Sequence, residues 1–177
     1  IHALRGMGGS SAQVTRAAGT PALMYAAETS GVAPSMLRDM RGVIASAAAP
    51  AAGGKNPLLI LHCLEAGTGT IDPSHHAHAW LIRAWAAAWW EEWLPHDMLQ
   101  SAYDDSVVSL ATLGPRPWSQ VAGPVHALLL PADRIGWTFE SATLLVDAVG
   151  RKWDVTLDPP KAIELAAQAD VRRHRFR

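Results

Sequence analysis

Three histidines within four residues, His75, His76 and His78, are the densest group of ligand-type side chains in this 177-residue chain; His62 and Cys63 lie a short way upstream. His75 and His78 are one helical turn apart and share a face, as two ligands of one ion would. A zinc site needs three or four nitrogen, sulfur or oxygen ligands in a tetrahedral array. No partner at fixed spacing completes that set, so the histidines read as the polar first turn of a helix, and no metal or other cofactor is expected. Nucleophilic chemistry has no better support. No G-x-S-x-G elbow is present, Cys63 lies in an apolar stretch with only His62 beside it, and Gly6, Gly8 and Gly9 lack the spacing of a phosphate-binding loop. Arg172, Arg173, Arg175 and Arg177 form a short basic tail that can touch phosphate, each contact adding salt dependence.

Two acidic motifs invite a catalytic reading. Tyr103-Asp104-Asp105 approaches the metal-binding turn of a reverse transcriptase, which reads aromatic, any residue, Asp, Asp. Ala102 stands two positions before Asp104, so the pattern fails, and the pair falls inside a helical period, where acids normally face water. Asp147, with Val149-Gly150 and Asp154 after it, resembles the first hairpin of an RNase H domain. Such a site needs several acids around two metals, and no later strand, acid and helix follow. No catalytic residue is assigned.

The elements that would position these residues are organised around Asp72–Trp93, which holds five of the eight tryptophans. Asp72 and Pro73 give a cap and a first helical position. At 100° per residue, Ile82, Trp85, Trp89 and Trp93 form one stripe, with Trp80, Ala84, Ala87 and Leu94 opposite. The spacing predicts a helix over about 72–94, ended by Pro95 and buried between layers. The alternative is a helical interaction module that holds Trp85, Trp89 and Trp93 out to a protein partner. The run from Ala77 to Trp90 is too short and too interrupted to span a membrane.

Around this helix the pattern predicts others. One covers about 12–18, after a Gly- and Ser-rich loop at 1–11. The next covers 20–30, capped by Thr20-Pro21 and stopped by Gly31. A third runs from Pro34, with Met36, Leu37, Met40, Val43, Ile44 and Ala47 at core spacing. After a break at 49–54, a short helix opens at Pro57 and closes at Gly67, with Thr68-Gly69-Thr70 turning into the tryptophan stretch. Further helices cover about 96–114, with Leu99, Tyr103, Val107, Leu110 and Leu113 inward, and about 117–130, beyond the break at Gly114–Pro117. Short β-prone runs follow at Trp137–Phe139, Leu144–Val146 and Trp153–Leu157, with a turn at Ala148–Arg151. Asp158-Pro159-Pro160 caps a last helix over about 161–172. The fold class is mainly α: a bundle around the Trp-rich helix, a small β hairpin at about 137–157 and a final helix. The expected division is a helical domain, 1–133, and a hairpin-plus-helix region, 134–177.

The formal charge is −1, so no global field attracts nucleic acid or an acidic membrane. Its distribution is uneven: five Lys/Arg against two Asp/Glu in 1–55, one against seven in 56–110, and nine against seven in 111–177. The single Cys63 precludes an internal disulfide and suits a reducing, intracellular compartment, cytoplasmic or nuclear. A first residue of Ile1 rather than Met reads as a fragment of something longer.

Thr20-Pro21-Ala22-Leu23-Met24-Tyr25-Ala26-Ala27-Glu28, followed by Leu37-Arg38-Asp39-Met40-Arg41, resembles the stretch just after the polymerase domain of non-LTR (LINE-like) retrotransposon proteins. There a helix reading like P-x-L-L-Y-G-x-E precedes a second with a Leu/Arg pattern; Ala26 replaces the usual glycine. Trp118–Gly123, Arg134–Trp137 and the Asp147–Leu157 hairpin are similar to the connecting region of such polyproteins. The resemblance implies a non-catalytic connector of an RNA-directed DNA polymerase polyprotein. Its implied partners are other domains of the same chain and, through the parent polyprotein, nucleic acid. The polymerase carboxylates would lie upstream.

Overall fold

Serine, asparagine and aspartate at helix starts, and prolines at first helical positions, set most of the boundaries in the structure, a computed structural model that describes residues 10–49, 54, 56–65, 71–114 and 117–175. The loop before residue 10, the break at 50–53, the Gly67 stop with its turn at 68–70, Pro115-Arg116 and Arg177 lie outside these residues. The chain forms two compact units: Ile1–Tyr25 with Ala33–His76, and Ala26–Val32 with Ala77–Arg177.

In the first unit Ser10 caps α1 (Ser11–Val14), its hydroxyl accepting from Gln13 N at 3.4 Å. A π-helical turn, Thr15–Gly19, then leads without a break into α2 (Thr20–Leu23). Thr20 is therefore not the cap that its place before Pro21 suggests. Its own N–H bonds back to Thr15 O, so the register has widened before Pro21, which has no N–H to give. The Thr20 hydroxyl instead donates to Ile71 O at 2.9 Å.

The next helix of this unit, α4 (Pro34–Ala48), starts at a proline after the extended Ala33. It buries Leu37, Ile44, Ala45 and Ala48, while Met36 and Val43, expected inward, are exposed. The face used is one stripe narrower than the apolar pattern allows. Asn56 Oδ1 accepts from Leu58 N at 2.9 Å and so caps α5 (Pro57–Glu65), which packs on α4. The core here is Ile44, Ala45, Ala48, Leu61 and Ile71.

The second unit begins with α3 (Ala27–Ser30), closed by Gly31 at φ 63. A Cβ at Gly31 would meet Trp118 at 3.4 Å as well as being strained. The chain returns to this unit within a π-helical turn, His75–Trp80, and continues as α6 (Leu81–Trp90), α7 (His96–Ala111), a 3₁₀ turn (Pro117–Gln120) and α8 (Pro124–Arg134). A three-stranded antiparallel sheet follows, ordered β1 (Thr138–Phe139), β2 (Leu144–Val146), β3 (Lys152–Asp154), with Leu145 opposite both Phe139 and Trp153. The expected hairpin is its β2–β3 half. The last helix is α9 (Pro160–Arg175). Asp158 does not cap it: its carboxylate turns back to accept from Asp154 N at 2.8 Å.

The tryptophan helix is the centre of this unit. α6 packs on α9 and α8, and Ile82, Trp85 and Trp89 enter a core with Leu128, Trp137, Leu145, Trp153 and Ile163. It stops at Trp90, short of the expected 94. Glu92 takes φ 52 and Trp93 N bonds to Ala88 O at 3.1 Å, a left-handed helix stop of the Schellman type built without glycine. Pro95 then serves as the N-cap residue of α7. In α7 only Leu99 and Tyr103 of the predicted inward set are buried; Val107 is exposed. No helix among the described residues is long and apolar enough to cross a membrane.

Candidate functional site

Among the described residues, Arg172, Arg173 and Arg175 sit where a helix end favours positive charge, but they do not form one phosphate-facing row. Successive residues turn by 100°, which fans Arg172, Arg173 and Arg175 around the axis. Arg173 Nη2 lies 2.6 Å from the buried Asp170 Oδ1. Arg172 Nε donates to Gln168 O at 3.3 Å, and Arg175 also has a partner. Asp170 further accepts the Trp137 indole N–H at 2.8 Å and Ala148 N at 3.4 Å. Beside it is a cleft of about 260 Å³ lined by Asp133, Arg134, Gly136, Ala148 and Arg173, of mixed sign.

The acids of the two catalytic-looking motifs are held apart. Asp147 Oδ1 accepts Val149 N at 3.0 Å and Arg151 N at 2.9 Å, and its Oδ2 accepts the Trp153 indole N–H at 3.1 Å. It fixes the β2–β3 turn. Burial alone would raise its pKa. The Arg151 N–H, the Trp153 indole and the Val149 N–H, with the charge of Arg173, outweigh that and hold it below the ordinary carboxylate value. Asp154, at the far end of β3, accepts Thr156 N and Oγ1 at 2.9 and 2.6 Å. Each acid thus serves its own turn. Asp104 and Asp105 are exposed on α7, while Tyr103 points inward with its hydroxyl 3.5 Å from Phe139 O. Burial, then the charge of Asp104, raises its phenol above the ordinary value.

Glu164 is a further buried acid that the sequence reading missed. It meets Lys161 Nζ at 2.7 Å, Arg83 Nε at 3.5 Å and Gln168 Nε2 at 2.9 Å, tying α9 to α6. Its signal was weak, since Glu164 and Lys161 look like any exposed i, i+3 pair on a helix.

The histidine turn is not a solvated one. Asp72, Ser74, His75 and His78 are all buried. Asp72 Oδ1 accepts Ser74 N at 2.7 Å, and Arg41 Nε reaches Ser74 Oγ at 2.9 Å and Asp72 at 3.4 Å. His75 lies edge-on to His76 at 5.6 Å. Among the described residues no group of three His, Cys, Asp or Glu side chains is placed to share a metal ion.

The expected interaction face of Trp85, Trp89 and Trp93 is divided. Trp85 and Trp89 are buried, 6.0 Å apart and edge-to-face, and Trp85 Nε1 donates to Ala142 O at 2.8 Å. Trp93 leaves the stripe because the left-handed Glu92 ends the helix before it. The exposed large apolar side chains here are Trp90, Trp93, Leu94 and Met98, at 45–57% exposure. They sit at the corner between α6 and α7, where an open cleft of about 500 Å³ is lined by Glu92, Trp93, Leu94, Pro95, His96 and Asp97. Compared with protein-family models, with curated proteins and with solved structures, the chain matches none.

Proposed function

We propose that the chain is a non-catalytic connecting segment of a non-LTR retrotransposon reverse transcriptase polyprotein, lying after the polymerase domain and before any nuclease domain. The family part of this reading rests on Thr20–Glu28 and Leu37–Arg41. The observation that carries its non-catalytic part is the way the buried acids are bonded. Asp147, Glu164 and Asp170 are each held by donors of their own unit and tie a turn or a helix in place. Catalytic carboxylates would instead converge on one open point. Two motif residues have structural partners of the same kind: Arg41 reaches Asp72, and Glu28 accepts the Trp80 indole N–H at 2.6 Å. In this role the chain's partners are other domains of the polyprotein, which carries the nucleic-acid contacts.

The test is the flanking reading frame. An upstream polymerase domain with an aromatic-x-Asp-Asp turn, in frame with Thr20–Glu28, is expected; an unrelated upstream frame overturns the proposal.

A further inference from the structure

We propose that the corner between α6 and α7 is a docking surface for a basic amphipathic helical segment of another protein chain. The inference stands on geometry and does not depend on the retroelement reading.

Trp90, Trp93, Leu94 and Met98 expose large apolar side chains over nine consecutive positions. Scattered exposed apolar residues are ordinary, but a cluster of this size rimmed by polar groups marks an interface. The corner is also held rigid. Trp93 N bonds to Ala88 O at 3.1 Å, and its indole N–H to Glu91 Oε2 at 2.8 Å. The Trp89 and His96 rings lie against each other, tilted by 35° with centres 4.9 Å apart, and Leu99 N bonds to Pro95 O at 3.2 Å. Anchors fixed in this way lose little freedom when a partner binds. Glu92 is the only non-glycine residue with positive φ among the described residues. That conformation costs free energy, and such strain concentrates at active sites, ligand clamps and switch regions.

Charge selects the occupant. Between Arg83 and Arg116 the sequence contains five acids and no Lys or Arg. Glu91, Glu92 and Asp97 rim the corner, and Asp104, seven residues beyond Asp97, continues an exposed acidic line along α7. An apolar anchor site with an acidic rim complements a helix that carries apolar residues on one face and Lys or Arg beside them. A second copy meeting the same surface would set acid against acid.

The probe is a designed Leu/Lys amphipathic peptide of roughly 18 residues, long enough to fold in place, with a Leu/Glu peptide of the same pattern as control. Each is titrated into the full chain and followed by anisotropy of a peptide label. We expect the Leu/Lys peptide to bind at least about tenfold more tightly than the control, and to weaken as salt rises. Trp93→Ser should reduce its affinity about tenfold or more. Because Trp93 is exposed, an unchanged circular-dichroism melt will show that this variant still folds. Glu91→Gln with Asp97→Asn should reduce affinity several-fold and flatten the salt dependence. Equal binding of the two peptides, or affinity unchanged by both variants, overturns the proposal. So does sedimentation showing that the chain alone dimerises through Trp93, because the occupant is then a second copy.

Discussion

The two units solve the same problem with different side chains. In the first, a core of two alanines, two isoleucines and a leucine is closed by polar side chains that reach distant backbone carbonyls: Ser11 to Ala48 O, Arg16 to Leu64 O and Thr20 to Ile71 O, at 2.7–2.9 Å. In the second, tryptophans do both jobs. Trp85, Trp137 and Trp153 fill the core, and their indole N–H groups bond Ala142 O, Asp170 and Asp147. Apolar area and hydrogen bonding are therefore separable in the first unit and joined in the second. Trp85→Ala is the largest test of that contrast. It removes a buried ring and leaves a buried carbonyl without its donor, and should cost about 3–5 kcal/mol. Hydrogen exchange should show the loss in the amides of α6, α8 and α9, with those of α4 and α5 little changed; equal loss in both sets would erase the distinction.

The matching change in the first unit is Arg41→Met, which keeps most of the apolar stem and removes the charge. Asp72 is 1% exposed. Without Arg41 it keeps its bonds to Ser74 but loses the guanidinium beside it. Breaking a buried pair costs about 3 kcal/mol at the low end of its range, and Arg41 is itself partly exposed. Exchange should now rise in α4 and α5. Were the loss to appear in α6 and α9 instead, the assignment of Arg41 to a local pin would fail.

Much of this arrangement was written in periodicity. The tryptophan helix, the β2–β3 hairpin and the terminal helix follow from spacing and from proline and glycine punctuation. Three features did not, each for a physical reason. The π turn at Thr15–Gly19 widens the backbone register with no residue type peculiar to it. The stop at Glu92 uses a left-handed residue that is not glycine, so Trp93 looked like the next member of a stripe. Asp147 read as an ordinary hairpin surface acid, because spacing cannot show that Val149 N, Arg151 N and the Trp153 indole all converge on its carboxylate. Of the exposed set Trp90, Trp93, Leu94 and Met98, the spacing named only Trp93 as an interaction residue, in company with the buried Trp85 and Trp89.

Asp147 also gives the contrast a pH signature. Its pKa in the folded protein lies below the ordinary value, so the stability it contributes is fully present above the unfolded value of about 3.9 and is lost as pH falls through the folded one. Asp147→Asn replaces charge-assisted bonds with neutral ones and should cost about 1 kcal/mol near neutral pH. In urea titrations that deficit should shrink below about pH 4. A deficit independent of pH would mean that the carboxylate charge is not what holds the turn.

The smallest effect expected bears on the strained corner of the second unit. Glu92→Gly relieves the cost of a left-handed non-glycine residue, and glycine is the residue helix stops of this kind prefer. A net gain of about 0.5–1 kcal/mol should follow, because the freedom glycine adds to the unfolded chain offsets part of the relief. Trp93 emission should stay where it is if the Trp93 N to Ala88 O bond survives. The same variant removes one acid from the rim, so affinity for the Leu/Lys peptide should fall slightly while stability rises. The stability change reads the relieved backbone strain, and the binding change reads the lost charge. A loss of stability would instead show that the Glu92 side chain supports the turn, and the strain argument for this corner would go with it.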